Sequence, residues 1–155
     1  MKPTTVIGID PGFGGALAVI DRDVIYVTDA PILDVSGRRE MDLAAMRALL
    51  VPLAGAHAFI ERVHSMPGSS GRSMFSFGTG YGAWLGELAA LQITTTRVEP
   101  ARWKAAMMDG MGKEKDAARL RAMMLFPKHA HLFARKCDDG RAEALLIAEY
   151  GRRTS

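Results

Sequence analysis

The chain has 155 residues, a formal net charge of +3, 48% hydrophobic residues and 24% charged residues, so a single globular domain over 1–155 is expected. This composition excludes a disordered or low-complexity chain, and no apolar run approaches the roughly 20 residues of a membrane-spanning helix. The first residues lead directly into an apolar run, so no secretory leader is expected. The single cysteine, Cys137, cannot form an internal disulfide, which favours a reducing, cytoplasmic location.

The first part of the chain predicts antiparallel strands. Short apolar runs over 6–10, 16–20 and 24–28 have the length of strands, and only three residues separate the second run from the third, which favours a hairpin. The segment 11–15 is rich in Pro and Gly and predicts a turn. Residues 30–40 show no periodic pattern and are expected to form an irregular connection.

The remainder of the chain alternates helices and strands. Asp42 can cap a helix over 43–53, whose apolar residues share one face, and a strand over 57–61 precedes a polar, Gly- and Ser-rich segment over 64–76 that predicts a mobile loop. The later elements are a helix over 77–91, a strand over 93–98, a helix over 100–108, a helix over 113–126, a loop over 128–138 and a helix over 140–150. Together they predict an α/β fold with a mixed five-stranded sheet flanked by helices.

Acidic residues stand where the predicted strands end. Asp10 ends the first strand and Glu61 the fourth, so parallel pairing of these strands would bring the two carboxylates together. Asp139 and Glu143 are four residues apart and share one face of the last helix, with Asp138 as a further candidate. Each acid alone is typical of a turn, a helix cap or a surface position. Gathered together, they would repel one another unless a cation lay between them, and carboxylate oxygens suit Mg²⁺ or Mn²⁺.

The ordered set of motifs resembles RuvC-type Holliday junction resolvases, especially their phage-encoded members. The resemblance implies a ribonuclease-H-like fold, a homodimer, divalent-metal nuclease chemistry and a four-way DNA junction, with other branched DNA as a further substrate. It extends over essentially the whole chain and rests on residues 8–12, 14–16, 60–61, 98–104, 113–127 and 139–148.

The resemblance also implies a catalytic set of four acids that bind metal, namely Asp10, Glu61, Asp139 and Glu143. Two Mg²⁺ ions per active site, for which Mn²⁺ can substitute, would support paired nicks that leave 5′-phosphate and 3′-hydroxyl ends. Asp10 is expected to bridge the two ions. The bacterial pattern has two aspartates three residues apart, whereas here an aspartate and a glutamate are four apart. This departure leaves Asp138 as an alternative to Asp139, although the spacing of four favours Asp139.

Positive charge is concentrated in the second part of the chain. Residues 97–155 carry a net charge of +5, and residues 1–96 carry −2, which favours a polyanionic partner such as nucleic acid. Lys104, Lys113 and Lys115 are candidates for DNA phosphate contacts. The alternative is that they are ordinary surface lysines on helices.

The predicted loop over 64–76 offers a second kind of DNA contact. Arg72 and Phe75 would lie at its tip, where an apolar side chain could insert between base pairs. The alternative for Phe75, and for Phe77 beside it, is to anchor the next helix in the core.

Gly78, Gly82 and Gly86 recur every four residues on the predicted helix that follows. Because glycine costs about 1 kcal/mol relative to alanine in a helix, such a row indicates close approach to another backbone. The partner is either the same helix in a second subunit, giving a homodimer, or the sheet beneath it.

Two other classes of function share parts of this pattern. An ATPase of the actin and sugar-kinase superfamily also opens with Asp-x-Gly on a hairpin, but it needs two such domains. A nucleic-acid binder without catalysis would not need the four acids. Within the nucleases, an enzyme acting on RNA–DNA hybrids is a further alternative, because a fold does not select a substrate.

Overall fold

The computed structural model describes residues 5–65 and 67–155. Over these residues it has seven strands, of which five follow the order expected from the sequence, five α-helices in the expected order, and two short 3₁₀ helices over 51–53 and 127–133. The strands are β1 (Thr5–Asp10), β2 (Ala16–Asp21), β3 (Val24–Asp29), β4 (Ile32–Val35), β5 (Arg38–Met41), β6 (His57–Glu61) and β7 (Thr94–Val98). The helices are α1 (Leu43–Leu50), α2 (Gly71–Ala90), α3 (Pro100–Met107), α4 (Ala117–Leu125) and α5 (Asp139–Thr154).

Five strands form one mixed sheet in the order β3-β2-β1-β6-β7. The hairpin strands β1, β2 and β3 are antiparallel, whereas β1, β6 and β7 run parallel. The predicted fold class is therefore confirmed. Parallel pairing of Ile9 with Ile60 places the carboxyl ends of β1 and β6 side by side, at one edge of the sheet.

Three segments differ from the sequence expectation. Residues 30–40 are not irregular, because β4 and β5 pair as a separate two-stranded sheet. The loop expected over 64–76 ends early: α2 begins at Gly71, where the Ser70 side chain accepts the backbone N–H of Ser73, a helix cap within the polar segment. Met66 of that segment lies outside the described residues. The helix expected from residue 113 begins at Ala117 instead.

Helices cover both faces of the sheet, and the alternation of side chains along β1 decides which helix each residue meets. Ile7 and Ile9 are buried with Trp84 and Leu88 of α2 and with residues of α1. The opposite face of β1 packs against α5. Within the described residues, no helix has the length and apolar character needed to cross a membrane.

Glycines let α5 lie directly on the sheet. A Cβ at Gly8 of β1 would collide with the backbone of α5 at Ala144 and Ala148. A Cβ at Gly140, near the start of α5, would collide with the Gly14 carbonyl. The two elements are thus in backbone contact, which fixes the first turns of α5 relative to the end of β1.

The glycine row of α2 does not pack on the sheet. A Cβ at Gly78, Gly82 or Gly86 would meet no atom within 4 Å, whereas one at Gly80 would press against the Pro11 carbonyl. Close approach to the body of the protein is therefore a property of Gly80, and the interpretation of the other three glycines as contacts with the sheet is wrong. Their exposed row remains compatible with a helix–helix contact between subunits.

The substitution Gly8→Ala tests the contact between β1 and α5. The added methyl group has no room, so we expect the free energy of unfolding to fall by about 3 kcal/mol, at the upper end of overpacking effects. Urea unfolding at fixed pH measures the change. Gly71→Ala is the matched control, since a Cβ there meets nothing within 4 Å. Equal stability of the two variants would contradict the contact.

Candidate metal-dependent active site

The four acids singled out from the sequence lie in one region. Asp10 ends β1 and Glu61 ends the neighbouring strand β6, while Asp139 and Glu143 occupy the first turns of α5. The charges of Asp10, Glu61 and Asp139 all act on the Glu143 carboxyl and raise its pKa. The expected juxtaposition of strand-end and helix acids is therefore present in the structure.

Burial dominates the electrostatics of Asp10. Burial, as the largest cause, and the Glu61 charge, as the next, raise the pKa of the Asp10 carboxyl from 3.8 to about 6. The backbone N–H of Gly12, 3.3 Å from Asp10 Oδ1, and the Lys104 charge oppose this shift. A carboxylate held here without a cation is therefore strained electrostatically.

Glu143 experiences the same conflict more strongly. Burial raises the pKa of its carboxyl from 4.5 to about 7, with the Asp10 charge as the next cause. Lys104 again lowers the pKa. At neutral pH, Glu143 therefore holds a proton for a substantial fraction of the time.

Glu61 is held by a tryptophan that the sequence analysis did not single out. Trp103 of α3 is fully buried, and its indole Nε1 donates a 2.6 Å hydrogen bond to Glu61 Oε2. The sequence signal was its position: it lies in the helix that follows β7 and directly precedes Lys104. Trp103 fixes the direction of one carboxylate at the mouth of the site.

Asp139 has a basic partner that was also missed. Arg119 of α4 donates from Nε to Asp139 Oδ1 at 2.9 Å, and its side chain is only 14% exposed. The twenty residues that separate Arg119 from Asp139 leave no local signal for this pair. A guanidinium therefore already neutralises one of the four acids.

Asp138 has a structural role instead. Its side chain is 2% exposed and lies 2.7 Å from Arg135 Nη2, and it accepts the backbone N–H of Arg135 at 2.8 Å. Although burial acts to raise the pKa of Asp138, these hydrogen bonds hold it below its ordinary value. Of the two neighbouring aspartates, Asp139 is the one that raises the pKa of Glu143.

A fifth acid, which directly follows the parallel strand β7, is already paired. Glu99 follows β7, with Oε1 3.0 Å from Arg62 Nη1 and Oε2 2.6 Å from His64 Nε2. The hydrogen bond with His64 is the largest cause that lowers the pKa of Glu99. Glu99 therefore belongs to a neutralised surface cluster.

The donor set fits a hard divalent cation. All four candidates are carboxylates, and the raised pKa values of Asp10 and Glu143 reflect burial and repulsion that a bound cation would offset. Over residues 5–65 and 67–155, no three potential ligands already stand at the spacing of a metal cluster. Glu61 and Asp139 instead point to Trp103 and Arg119, so a cation would exchange with these donors.

Of the three lysines expected to contact DNA, one lies beside the acids. Lys104 is exposed, its Nζ lies 5.2 Å from the centroid of the Trp103 ring, and its charge reaches Asp10 and Glu143. Lys113 and Lys115 are exposed between α3 and α4 rather than on a helix. The structure does not bring these two lysines into contact with the acids.

Arg72 and Phe75 lie on the first turns of α2 instead of on a loop. Phe75 is 78% exposed, so it does not anchor α2 in the core. Phe77 is 48% exposed and faces the turn after β1, near Gly12. The apolar side chain of Phe75 is therefore available for contact with a partner.

Comparisons with known proteins confirm the fold and the resemblance. The chain is 32% identical over 124 residues to the chloroplastic Holliday junction resolvase MOC1 of Chlamydomonas reinhardtii, covering 77% of this chain and 14% of that protein. The chain thus spans about one seventh of the length of this curated relative. No family model matches the sequence.

Two solved structures of RuvC from Thermus thermophilus have the same fold. One is the complex with a Holliday junction substrate, with a TM-score of 0.61 and 16% identity over 93% of this chain and 90% of that one. The other is a RuvC structure with a TM-score of 0.58 and 19% identity over 96% of each chain. The chain therefore has the ribonuclease-H-like fold of RuvC.

The raised pKa of Glu143 predicts that, in EDTA, the free energy of unfolding falls as pH rises. Because the folded pKa of Glu143 lies above its ordinary value, the folded state binds more protons than the unfolded state between pH 4.5 and about 7, so stability falls as pH rises through this window. At about 1.4 kcal/mol per pKa unit, Glu143→Gln should gain up to about 3 kcal/mol at pH 8 and little at pH 4. Urea unfolding across this range measures the slope.

Asp29→Asn is a control of opposite sign. The hydrogen bond from Arg141 lowers the pKa of Asp29, so this acid contributes stability above its unfolded pKa and loses it as pH falls. Its amide variant should be less stable than the parent at pH 8. If both variants changed the free energy of unfolding in the same direction at pH 8, burial and charge repulsion at Glu143 would not be the cause of the pH dependence.

Proposed function

We propose that this chain, which has the RuvC fold, is a metal-dependent endonuclease that resolves four-way DNA junctions. Paired nicks on opposing strands would leave 5′-phosphate and 3′-hydroxyl ends. The observation that carries the proposal is the convergence of four carboxylates at the adjoining ends of β1 and β6 and the start of α5. Other branched DNA is a further substrate of the same site.

Asp10, Glu61, Asp139 and Glu143 would hold the cations. Two bound Mg²⁺ ions, or Mn²⁺ in their place, would supply charge neutralisation at the scissile phosphate and a bound water of lowered pKa. Asp10, at the end of the central strand, would contact both ions. Trp103 orients Glu61 through its indole N–H.

The lysine nearest the acids has the chemistry of a phosphate ligand. Lys104 is exposed beside the acid cluster, where it can bind the DNA backbone next to the scissile bond. Lys113 and Lys115 would contact phosphates further along the strand. Arg72 and Phe75 project from the start of α2, where Phe75 can enter an opened base step at the junction point.

Relatives support the substrate class. The curated relative from Chlamydomonas is named a Holliday junction resolvase, and one matched RuvC structure is in complex with a Holliday junction substrate. We extend that substrate to this chain because the acid set lies on the same fold. One nuclease domain over 1–155 would carry the activity. Its compartment stays a prediction: the sequence favours the cytoplasm, whereas the relative is chloroplastic.

A homodimer would match the symmetry of the substrate. Gly78, Gly82 and Gly86 form an exposed row on α2 with open space above it, which permits a close helix–helix contact. A two-fold axis at this row would present two active sites to two opposing strands. The proposed dimer would therefore account for the glycine row and allow the proposed paired nicks.

Cleavage of end-labelled four-way junctions tests the proposed function. We expect symmetric paired nicks in Mg²⁺ and none in EDTA. Asp10→Asn should lower the cleavage rate at least about 100-fold, because one metal ligand is lost. It should still bind the junction.

Linear duplex and RNA–DNA hybrid are the matched substrates for this assay. Equal cleavage of all three would remove junction selectivity while leaving a nuclease. Junction binding without nicks in either Mg²⁺ or Mn²⁺ would overturn the enzymatic proposal and favour a binding protein.

Arg119→Gln tests whether Asp139 contacts the metal. This variant removes the guanidinium that is bound to Asp139, so we expect Mn²⁺ affinity without DNA to rise several-fold, since one less positive charge faces the site. Arg119→Lys keeps the charge and should stay close to the parent. Isothermal titration calorimetry measures both. The control is Arg47→Gln, which breaks the ion pair between Arg47 of α1 and Glu87 of α2. An Arg119→Gln affinity equal to that of this control would exclude Asp139 as a ligand.

A further inference from the structure

A cavity opens beside the acid cluster, between the turn that follows β1 and the first turns of α2. Its volume is about 350 Å³, at the small end of the range for ligand pockets. The six lining residues are Phe13, Gly14, Arg72, Ser73, Ser76 and Phe77. The four acids are not among them.

The turn that lines one side of the cavity also contacts the Asp10 carboxylate. The backbone N–H of Gly12 donates to Asp10 Oδ1 at 3.3 Å. Phe77 lies close to the same residue: a Cβ at Gly12 would be 3.6 Å from Phe77 Cε1 and 3.7 Å from Asp10 Oδ1. A strand whose phosphate lies at Asp10 would therefore place a neighbouring nucleotide at the cavity.

Aromatic rings and guanidinium groups define the chemistry of the cavity. Phe13 and Phe77 provide apolar ring surface, and Phe77 remains 48% exposed. The Arg39 guanidinium lies 5.9 Å from the centroid of the Phe13 ring, and its Nη2 donates to the Phe13 carbonyl at 3.1 Å. Arg72 and two serine hydroxyls add donors at the rim. Flat apolar surface bordered by cationic and hydroxyl donors suits a nucleobase that is still attached to its phosphate.

We propose that this cavity binds one unstacked nucleobase of the strand being cut, next to the scissile phosphate. The inference rests on the proposed function and extends it, because it makes Phe13 and Phe77 determinants of which nucleotide stands at the cleavage point. Phe77 stacks on the base, and Arg72 and the hydroxyls of Ser73 and Ser76 bind its edge or the adjoining phosphate. The volume accommodates a single base rather than the width of a duplex.

Removal of single bases from the junction identifies the bound nucleotide. Four-way junctions carrying one abasic site at each nucleotide around the cleavage point are titrated with the full chain in Ca²⁺, so that binding is measured without cleavage. We expect one position at which the parent loses about tenfold in affinity, the size of a lost base–aromatic stack.

The variant Phe77→Ala shows whether the cavity is responsible. It should weaken binding to the intact junction about tenfold and make binding indifferent to the abasic site at that one position, since the two changes remove the same contact. Phe77→Leu retains apolar volume, and it replaces Phe77→Ala if the latter does not fold. Tyr26→Ala, which removes a half-exposed aromatic side chain from the edge strand β3, should keep the parent's full sensitivity.

A fluorescent base gives an independent readout. With 2-aminopurine at the identified position, binding of the parent should change the emission as the base leaves its stack, and binding of Phe77→Ala should give a smaller change. If the effects of Phe77→Ala and of the abasic site on affinity were additive at every position, the cavity assignment would be wrong. Junction cleavage by the parent would still support the proposed function in that case. A parent that neither prefers nor cuts junctions would overturn the proposed function and this inference with it.

Discussion

The backbone contact between β1 and α5 is the constraint on which the candidate site depends. Gly8 lets the helix lie against the strand, and Gly140 lets the start of α5 press on the turn after β1. Any larger residue at either place would separate the two elements. Because Asp10 ends β1 and Glu143 lies in α5, that separation would also pull apart the carboxylates. Packing of the core and geometry of the site are therefore set by the same contact, as expected in a close-packed interior.

This contact has an electrostatic cost that the surrounding residues reduce. Burial and mutual repulsion raise the pKa values of Asp10 and Glu143, whereas Glu61 and Asp139 receive hydrogen bonds from Trp103 and Arg119. Hydrogen bonds from protein donors thus stabilise Glu61 and Asp139. Asp10 and Glu143 are stabilised by protonation instead. A divalent cation is the ligand whose charge would replace both forms of compensation.

Residues beyond the acids give the region the chemistry that the proposed nucleic-acid substrate requires. Lys104 lies beside the carboxylates, and the aromatic cavity is lined in part by Phe13 and Gly14 of the turn that follows Asp10. An exposed phenylalanine on the outer face of α2 adds a third kind of contact. In the proposed complex, phosphate, base and opened base step would each meet a different chemistry at this one edge of the sheet. The exposed glycine row on the same helix leaves room for a second subunit close to these contacts.

The sequence by itself determined the five strands of the main sheet, the order of the helices and the positions of the four acids at strand ends and on the last helix. It could do so because strand alternation, helix periodicity and turn residues are local signals. Even the choice between Asp138 and Asp139 follows from helical spacing, and the buried ion pair of Asp138 with Arg135 agrees with it. Only the tertiary structure decided which donors hold the acids. Trp103 and Glu61 are 42 residues apart, and Arg119 and Asp139 are 20 apart, so no local pattern links them. The direction of the glycine row and the cavity beside Asp10 likewise depend on how distant segments pack, which periodicity along one segment does not encode.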